Sequence, residues 1–150
     1  MLDYKIEICK INDAKDIFLL EKKSFNKPYS VVTIEDMLKN SAIIFLKAVK
    51  ADNGLSGKLI GYASMQIILD EAEIHNIAVD LSLKRKGVGK SLALQLIAAA
   101  KEKGVKRIFL EVNENNTLAL SLYSKLGFEI VSVRQKYYGE DSAKIMSLSL

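Results

Sequence analysis

The chain has one cysteine, one proline, one histidine and no tryptophan in 150 residues, and each shortage removes a class of protein. Cys9 alone forms no internal disulfide, and a single histidine with a single cysteine cannot build a cluster of metal-ligand spacing. Neither a disulfide scaffold nor a bound metal is expected. No apolar run approaches the roughly 20 residues of a membrane span. The opening Met1-Leu2-Asp3-Tyr4-Lys5 lacks the basic-then-apolar order of a secretion signal. These absences point to a cytoplasmic chain with no membrane partner. A strong charge bias is also missing: 22 Lys+Arg stand against 18 Asp+Glu, net +4, and the tyrosines and lysines show no interleaved stacking pattern. Nucleic acid is therefore not the expected partner.

The chain does have a 49% hydrophobic composition over a length suited to one globular core, and no repeat or linker divides it. One domain over residues 1–150 is expected. Ile6 and Ile8 alternate like a first strand, and Asn12 offers an N-cap to a helix over about 13–25, which Lys27-Pro28-Tyr29 breaks. Thr33 and Asp36 have capping-box spacing for a short helix ending near Lys39. Residues 42–49 and 58–69 read as hairpin strands about a turn at Asp52-Asn53-Gly54 and Gly57, and residues 73–79 as the next strand. Val88, Leu92, Leu96 and Ala99 share a helical face, with Gly104 placed to cap its end. Then come a strand at 107–112, a helix at 116–126 closed by Gly127, and strands at 128–137 and 143–150. This order predicts an α/β (α+β) fold: a mixed, mostly antiparallel sheet with helices on its faces.

Between the strand at 73–79 and the longest helix lies Lys84-Arg85-Lys86-Gly87-Val88-Gly89-Lys90. Two glycines let backbone N–H groups turn to one side, the helix start adds its positive dipole end, and four cations crowd the same point, so the run is suited to phosphate. It is not a P-loop, because Lys84 stands where the first glycine of G-x-x-x-x-G-K-[ST] belongs. It is a poor dinucleotide fingerprint, because Leu92 stands at the third glycine of G-x-G-x-x-G.

The remaining pattern, basic-basic-Gly-x-Gly between a strand and a helix, resembles the pyrophosphate loop of the GNAT superfamily of acyl-CoA-dependent N-acyltransferases. Leu110-Glu111-Val112, Asn116, Ala119, Leu122-Tyr123, Leu126-Gly127-Phe128, Arg134, Tyr137-Tyr138 and Met146 resemble the ribosomal-protein-alanine N-acetyltransferase (RimI-type) branch. Glu21, Ser24-Phe25, Pro28 and Ser30 resemble that branch's early E-x-x-S-F-x-x-P-[WY]-S segment. Asn113 departs from the arginine often found after L-E-V, and Asp141-Ser142 from a terminal Glu-Asp.

The resemblance implies a GNAT fold with a sheet splayed between its fourth and fifth strands, acetyl-CoA as cofactor, and a protein N-terminus as acceptor. It places coenzyme A against Ile77, Ala78, Val79, Lys84, Arg85, Lys86, Gly87, Val88, Gly89, Lys90, Ser91, Asn116 and Tyr123. It makes Glu111 the base and Tyr123, twelve residues on, the acid for the leaving thiol. Glu111 shares a strand face with Phe109, and Tyr123 lies in an apolar stripe with Ala119, Leu122 and Leu126. Read without the resemblance, each has a plainer role: a strand-end carboxylate in water or paired with Arg107, and a core tyrosine.

Tyr29, Glu73, His75, Asn76, Tyr137 and Tyr138 are the candidate acceptor-side residues, with His75 expected to face with Glu73 and Ile77. A protein α-amine titrates near about 7.7–8.0 and a lysine near about 10.4, a difference of ~3 kcal/mol that favours the α-amine for a single carboxylate base. The alternatives are a small-molecule amine or lysine acceptor, which an acidic cleft would favour, and a non-catalytic acyl-CoA sensor. A monomer or weak homodimer is expected.

Overall fold

The computed structural model describes residues 3–51 and 57–150, so the expected turn at Asp52-Asn53-Gly54 lies outside the described residues, as does the side chain of Tyr138. The strands are β1 (Tyr4–Ile8), β2 (Ile43–Lys50), β3 (Leu59–Ile68), β4 (Glu71–Val79), β5 (Arg107–Asn113), β6 (Glu129–Tyr138) and β7 (Asp141–Ser149). The helices are α1 (Ala14–Ser24), α2 (Val31–Lys39), α3 (Val88–Glu102) and α4 (Thr117–Lys125). All seven strands form one sheet, in the order β1-β2-β3-β4-β5-β7-β6. Every neighbouring pair is antiparallel except β4 and β5, which are parallel. This is the expected mixed, mostly antiparallel architecture.

Alternation along the strands divides the apolar residues between two faces. Val88, Leu92, Leu96 and Ala100 of α3 and Tyr123 of α4 pack on Met65, Ile74, Ile108, Leu110 and Val112 to form the larger core. Ile17 and Leu20 of α1 and Ile34 of α2 cover Phe45, Tyr62 and Ala78 on the opposite face.

Two helix starts differ from the sequence reading. Asn12 caps nothing, because a single 3-10 turn (Ile11–Asp13) precedes α1; the Asp13 carboxylate instead accepts the Lys10 N–H at 2.7 Å and pairs with Lys47 at 2.9 Å. α2 begins three residues earlier than the Thr33 box implied. Ser30 is the first residue past Pro28-Tyr29 able to cap, and its Oγ accepts the Thr33 N–H at 3.1 Å.

The sheet opens at its centre. β4 and β5 pair only through Glu71–Arg107, Ala72–Ile108 and Glu73–Phe109. Beyond Glu73, β4 stays registered with β3 as far as Val79, and β5 stays with β7 as far as Asn113. Each half is zipped to its own neighbour, and the two part as a wedge.

β4 also carries a bulge. Ser64 pairs with Asn76 and Met65 with Ile74, so His75 is an extra residue with no partner across the ladder. The bulge corrects the expectation that His75 faces with Ile77. After it, Ile77 packs toward the larger core while Asn76 bonds Glu21 of α1 on the other face.

Because Ser30, not Thr33, supplies the capping acceptor of α2, Ser30→Ala is expected to cost about 1 kcal/mol of stability and Thr33→Ala less. Urea titrations of the two variants check the order, and a larger loss in Thr33→Ala would contradict this assignment.

Candidate active site

The loop after β4 is held at both ends. The Asp80 N–H bonds the Ile60 carbonyl at 2.8 Å, and the Asp80 carboxylate accepts the Ser82 N–H at 3.0 Å and hydroxyl at 2.8 Å. Those Ser82 bonds hold the Asp80 carboxyl below its ordinary range. At the far end, the Tyr4 hydroxyl of β1 meets the Ser91 Oγ at 2.6 Å and the Gly87 carbonyl at 3.4 Å, tying the start of α3 to the first strand. Nothing in the spacing of the sequence links Tyr4 to this loop. The Ser91 N–H bonds Gly87, so both polar groups of Ser91 already have protein partners.

Between these anchors Arg85 (φ 65°) and Gly87 (φ 87°) take left-handed conformations, a turn pattern that converges successive N–H groups. Helix geometry leaves the N–H groups of Val88, Gly89 and Lys90 without intrahelical partners, and Gly87 as N-cap has no side chain to satisfy them. Lys84, Arg85, Lys86 and Lys90 are exposed and make no ion pair among the described residues. Free donors, a helix dipole and unpaired cations therefore meet at one point, and these residues fit a pyrophosphate.

Gly89 adds an independent sign. Its backbone is not left-handed, and a Cβ there would meet Val79 at 3.7 Å and Leu122 at 4.0 Å, ordinary contacts in the space between the end of β4 and α4. The fold does not need glycine at this point, and its absence of a side chain leaves that space open. Ile77 and Val79 line the α3 side, whereas Ala78 is buried toward α1 and offers this side only its backbone. Asn116 caps α4 by accepting the Ala119 N–H at 3.2 Å, which leaves its amide N–H groups free for a ligand.

Glu111 and Tyr123 stand on opposite faces of the sheet. Glu111 is on the α1 face of β5 and pairs with Arg134 Nη1 of β6 at 3.0 Å. Sequence reasoning offered Arg107 as its cation, but Arg107 lies over the Phe109 ring, 6.0 Å from its centre. Arg134 reaches Glu111 across β7, and its guanidinium also lies 5.4 Å from the centre of the Tyr137 ring. The ion pair joins Glu111 and Tyr137 into one wall. Tyr123 belongs to the α3/α4 core, edge-on to Phe128 with ring centres 5.5 Å apart, and burial pushes its phenol up to about 12. Its hydroxyl has no hydrogen-bond partner among the described residues.

On the acceptor side, the Glu21 carboxylate takes the Tyr29 N–H at 3.1 Å and the Asn76 side-chain amide at 3.2 Å. Burial, then the nearby Glu21 and Glu73 carboxylates, push the Tyr29 phenol upward. His75 rides on the bulge with its Nδ1 buried and unpartnered. A cavity of about 390 Å³ opens beside Glu111, lined by Asp70, Glu71, Glu73, Phe109, Glu111 and Arg134 among others. Four of those side chains are carboxylates against one guanidinium. The structure thus gathers Tyr29, Glu73, Asn76, Glu111 and Tyr137 about one face of the wedge; Tyr138 lies outside the described side chains.

Since the loop needs glycine at 87 for its φ and no backbone geometry requires one at 89, alanine at the two sites separates fold from binding. Gly87→Ala is expected to cost about 1 kcal/mol of stability. Gly89→Ala is expected to leave stability within about 1 kcal/mol while weakening coenzyme A binding about tenfold or more, read by calorimetry. Unchanged affinity in Gly89→Ala would remove this residue from the cofactor path.

Comparison with known proteins agrees with the geometry. The family described as Acetyltransferase (GNAT) family matches residues 11–128. The [ribosomal protein bS18]-alanine N-acetyltransferase of Salmonella typhimurium is 38% identical over 149 residues, 97% of each chain. That of Haemophilus influenzae is 34% identical over 151 residues, again 97% of each. The crystal structure of the ribosomal-protein-S18-alanine N-acetyltransferase from Escherichia coli superposes with a TM-score of 0.86 at 30% identity, covering 98% of this chain and 94% of that one. The parted sheet, the loop of free donors and cations before α3 and these likenesses together show that the chain belongs to the acetyltransferase (GNAT) family, in its ribosomal-protein-alanine branch.

Proposed function

We propose that the protein acetylates the N-terminal α-amine of a protein, a ribosomal protein in the first instance, using acetyl-CoA in a ternary complex. The single observation that carries this reading is that Glu111 and Tyr123 lie on opposite faces of the sheet, with the β4–β5 wedge as the opening between them. Acetyl-CoA supplies the activated acyl group. The loop from Lys84 to Lys90 holds its pyrophosphate, and Asn116 with the β4 end guides the pantetheine arm. Beyond Glu73, the backbone groups that β4 turns toward β5 have no ladder partner, so an N–H there is free to polarise the acyl carbonyl.

Glu111 takes a proton from the incoming ammonium at a carboxylate oxygen, directly or through one water, and Arg134 fixes the carboxylate's direction. Once the neutral amine has bonded to the acyl carbon, its nitrogen releases a second proton to water, the carbon–sulfur bond breaks, and Tyr123 gives its phenol proton to the departing sulfur and recovers one from water. A phenol pushed up to about 12 is fully protonated at neutral pH, so the acid is always loaded. Tyr29, Glu73, Asn76 and Tyr137 line the peptide's approach, with His75 behind them. We read residues 1–150 as one domain, supported by the continuous sheet from Tyr4 to Ser149. It works as a monomer or weak homodimer in the cytoplasm, without nucleic acid or membrane. No described helix is long and apolar enough to cross a bilayer, which supports the last point for helical spans.

One observation favours a second acceptor. The cavity beside Glu111 is acidic, and a small polycationic amine suits four carboxylates facing one guanidinium. Peptides with varied first residues, a free lysine-bearing peptide blocked at its N-terminus and a linear polyamine, each incubated with acetyl-CoA and read by mass spectrometry, separate the readings. Acetylation of peptide α-amines with the blocked peptide and polyamine untouched supports the first; the reverse replaces it.

The assigned roles carry two further expectations. Glu111→Gln is expected to lower kcat by about 10²-fold or more and Tyr123→Phe by about tenfold or more, with coenzyme A affinity kept. Because the Tyr123 phenol titrates only near 12, the kcat–pH profile is expected to show no loss from its deprotonation below about pH 10. Unchanged kcat in both variants would take these residues out of the chemistry.

A further inference from the structure

Glu21 is the one carboxylate of the helical layer that is wholly buried, 1% exposed, on the face of α1 that also buries Ala14, Ile17 and Leu20. No cation comes within ion-pair reach of it among the described residues. Burial pushes its carboxyl upward, against the opposing pull of the Tyr29 and Asn76 bonds. An apolar side chain of the same volume would suit this packed face better, since a buried carboxylate without a counter-charge is costly. What the carboxylate does instead is join three segments. Its own backbone carbonyl accepts the Phe25 N–H at 2.9 Å, ending α1, and its Oε1 accepts the Tyr29 N–H at 3.1 Å, so the loop between α1 and α2 is closed onto one residue. Both carboxylate oxygens meet the Asn76 side-chain amide, at 3.3 and 3.2 Å, directly after the bulge at His75.

We propose that Glu21 is a positioning residue for the acceptor amine: it locks the Tyr29 loop to the bulged stretch of β4, and so sets the width of the acceptor groove and the direction of the β4 backbone beside the wedge. The inference rests on the α-amine reading only for its choice of acceptor. Glu21 touches neither the loop of cations nor Tyr123, so cofactor binding is independent of it. The side chain is needed for the two segments it hydrogen-bonds together rather than for its charge. A glutamine reproduces the arrangement once the Asn76 amide turns over, its Oε1 accepting the Tyr29 N–H and its Nε2 donating to Asn76 Oδ1.

The test compares Glu21→Met, Glu21→Gln and Asn76→Ala with the parent in steady-state kinetics with an alanine-first peptide and acetyl-CoA, alongside amide hydrogen exchange. Glu21→Met is expected to raise the peptide KM about tenfold or more while moving the acetyl-CoA KM by less than about twofold. Glu21→Gln is expected to return the peptide KM to within about threefold of the parent. Exchange in Glu21→Met is expected to quicken at residues 25–30 and 74–79 and nowhere in α3. If Glu21→Met does not fold, Asn76→Ala is read by exchange at residues 25–30, which Asn76 reaches through Glu21: quickening there with α3 unchanged supports the lock, and unchanged exchange overturns it.

Equal changes in both KM values, or an unchanged peptide KM with unchanged exchange, overturn the proposal. A parent that acetylates no peptide sinks the acceptor reading instead, and the exchange pattern alone then decides for or against the lock.

Discussion

The structure depends on a backbone constraint at the centre of its sheet: β4 and β5 share three parallel residue pairs and then stop sharing any. Parallel neighbours normally continue their ladder, and the cost of abandoning it is a row of unpaired donors and acceptors. Here each strand keeps a full partner on its other side, β3 for β4 and β7 for β5, so the sheet divides without either half unravelling. The larger core spans the division on one face, since α3 packs on β3 and β4 while α4 and Tyr123 pack beneath β5. That shared core joins the two halves.

Chemistry is distributed by the same division. Features that suit the cofactor lie on the α3/α4 side and at the loop before α3, and features that suit an amine lie on the α1/α2 side. The two sides meet only through the gap. Electrostatics follows this layout, with unpaired cations at the loop and an excess of carboxylates around the cavity beside Glu111. An anionic donor and a cationic acceptor are therefore drawn to different faces before they meet. Arg134 is the exception on the acidic side, and its pairing with Glu111 at the surface matters more for aim than for stability.

Much of this was legible in the residues because it is local. The 3.6-residue spacing of Val88, Leu92 and Leu96 marked α3, and the glycines with their flanking cations marked the loop. Glu111 and Tyr123 could be assigned roles only through the motif order, because spacing alone describes a strand-end carboxylate and a core tyrosine equally well. What escaped depends on pairing across the sheet. The bulge at His75 shifts the alternation of β4 by one, and no property of Glu73-Ile74-His75-Asn76 announces an extra residue. Arg134 reaches Glu111 over an intervening strand, so Arg107, nearer in sequence and on the same strand, looked the better partner. Glu21 was visible at a helical spacing from Ala14 and Ile17, but that it is buried without a cation depends on how α1 lies against β4.

The parted strands have one more consequence. Their free backbone edges face each other, so mutations that let β4 and β5 continue their ladder past Glu73 would add hydrogen bonds and make the protein sturdier. Such a chain would close the gap between the faces proposed for donor and acceptor. Selection for thermal robustness alone would thus tend to seal the molecule shut, and its working form is kept ajar below the firmest packing this sequence could reach.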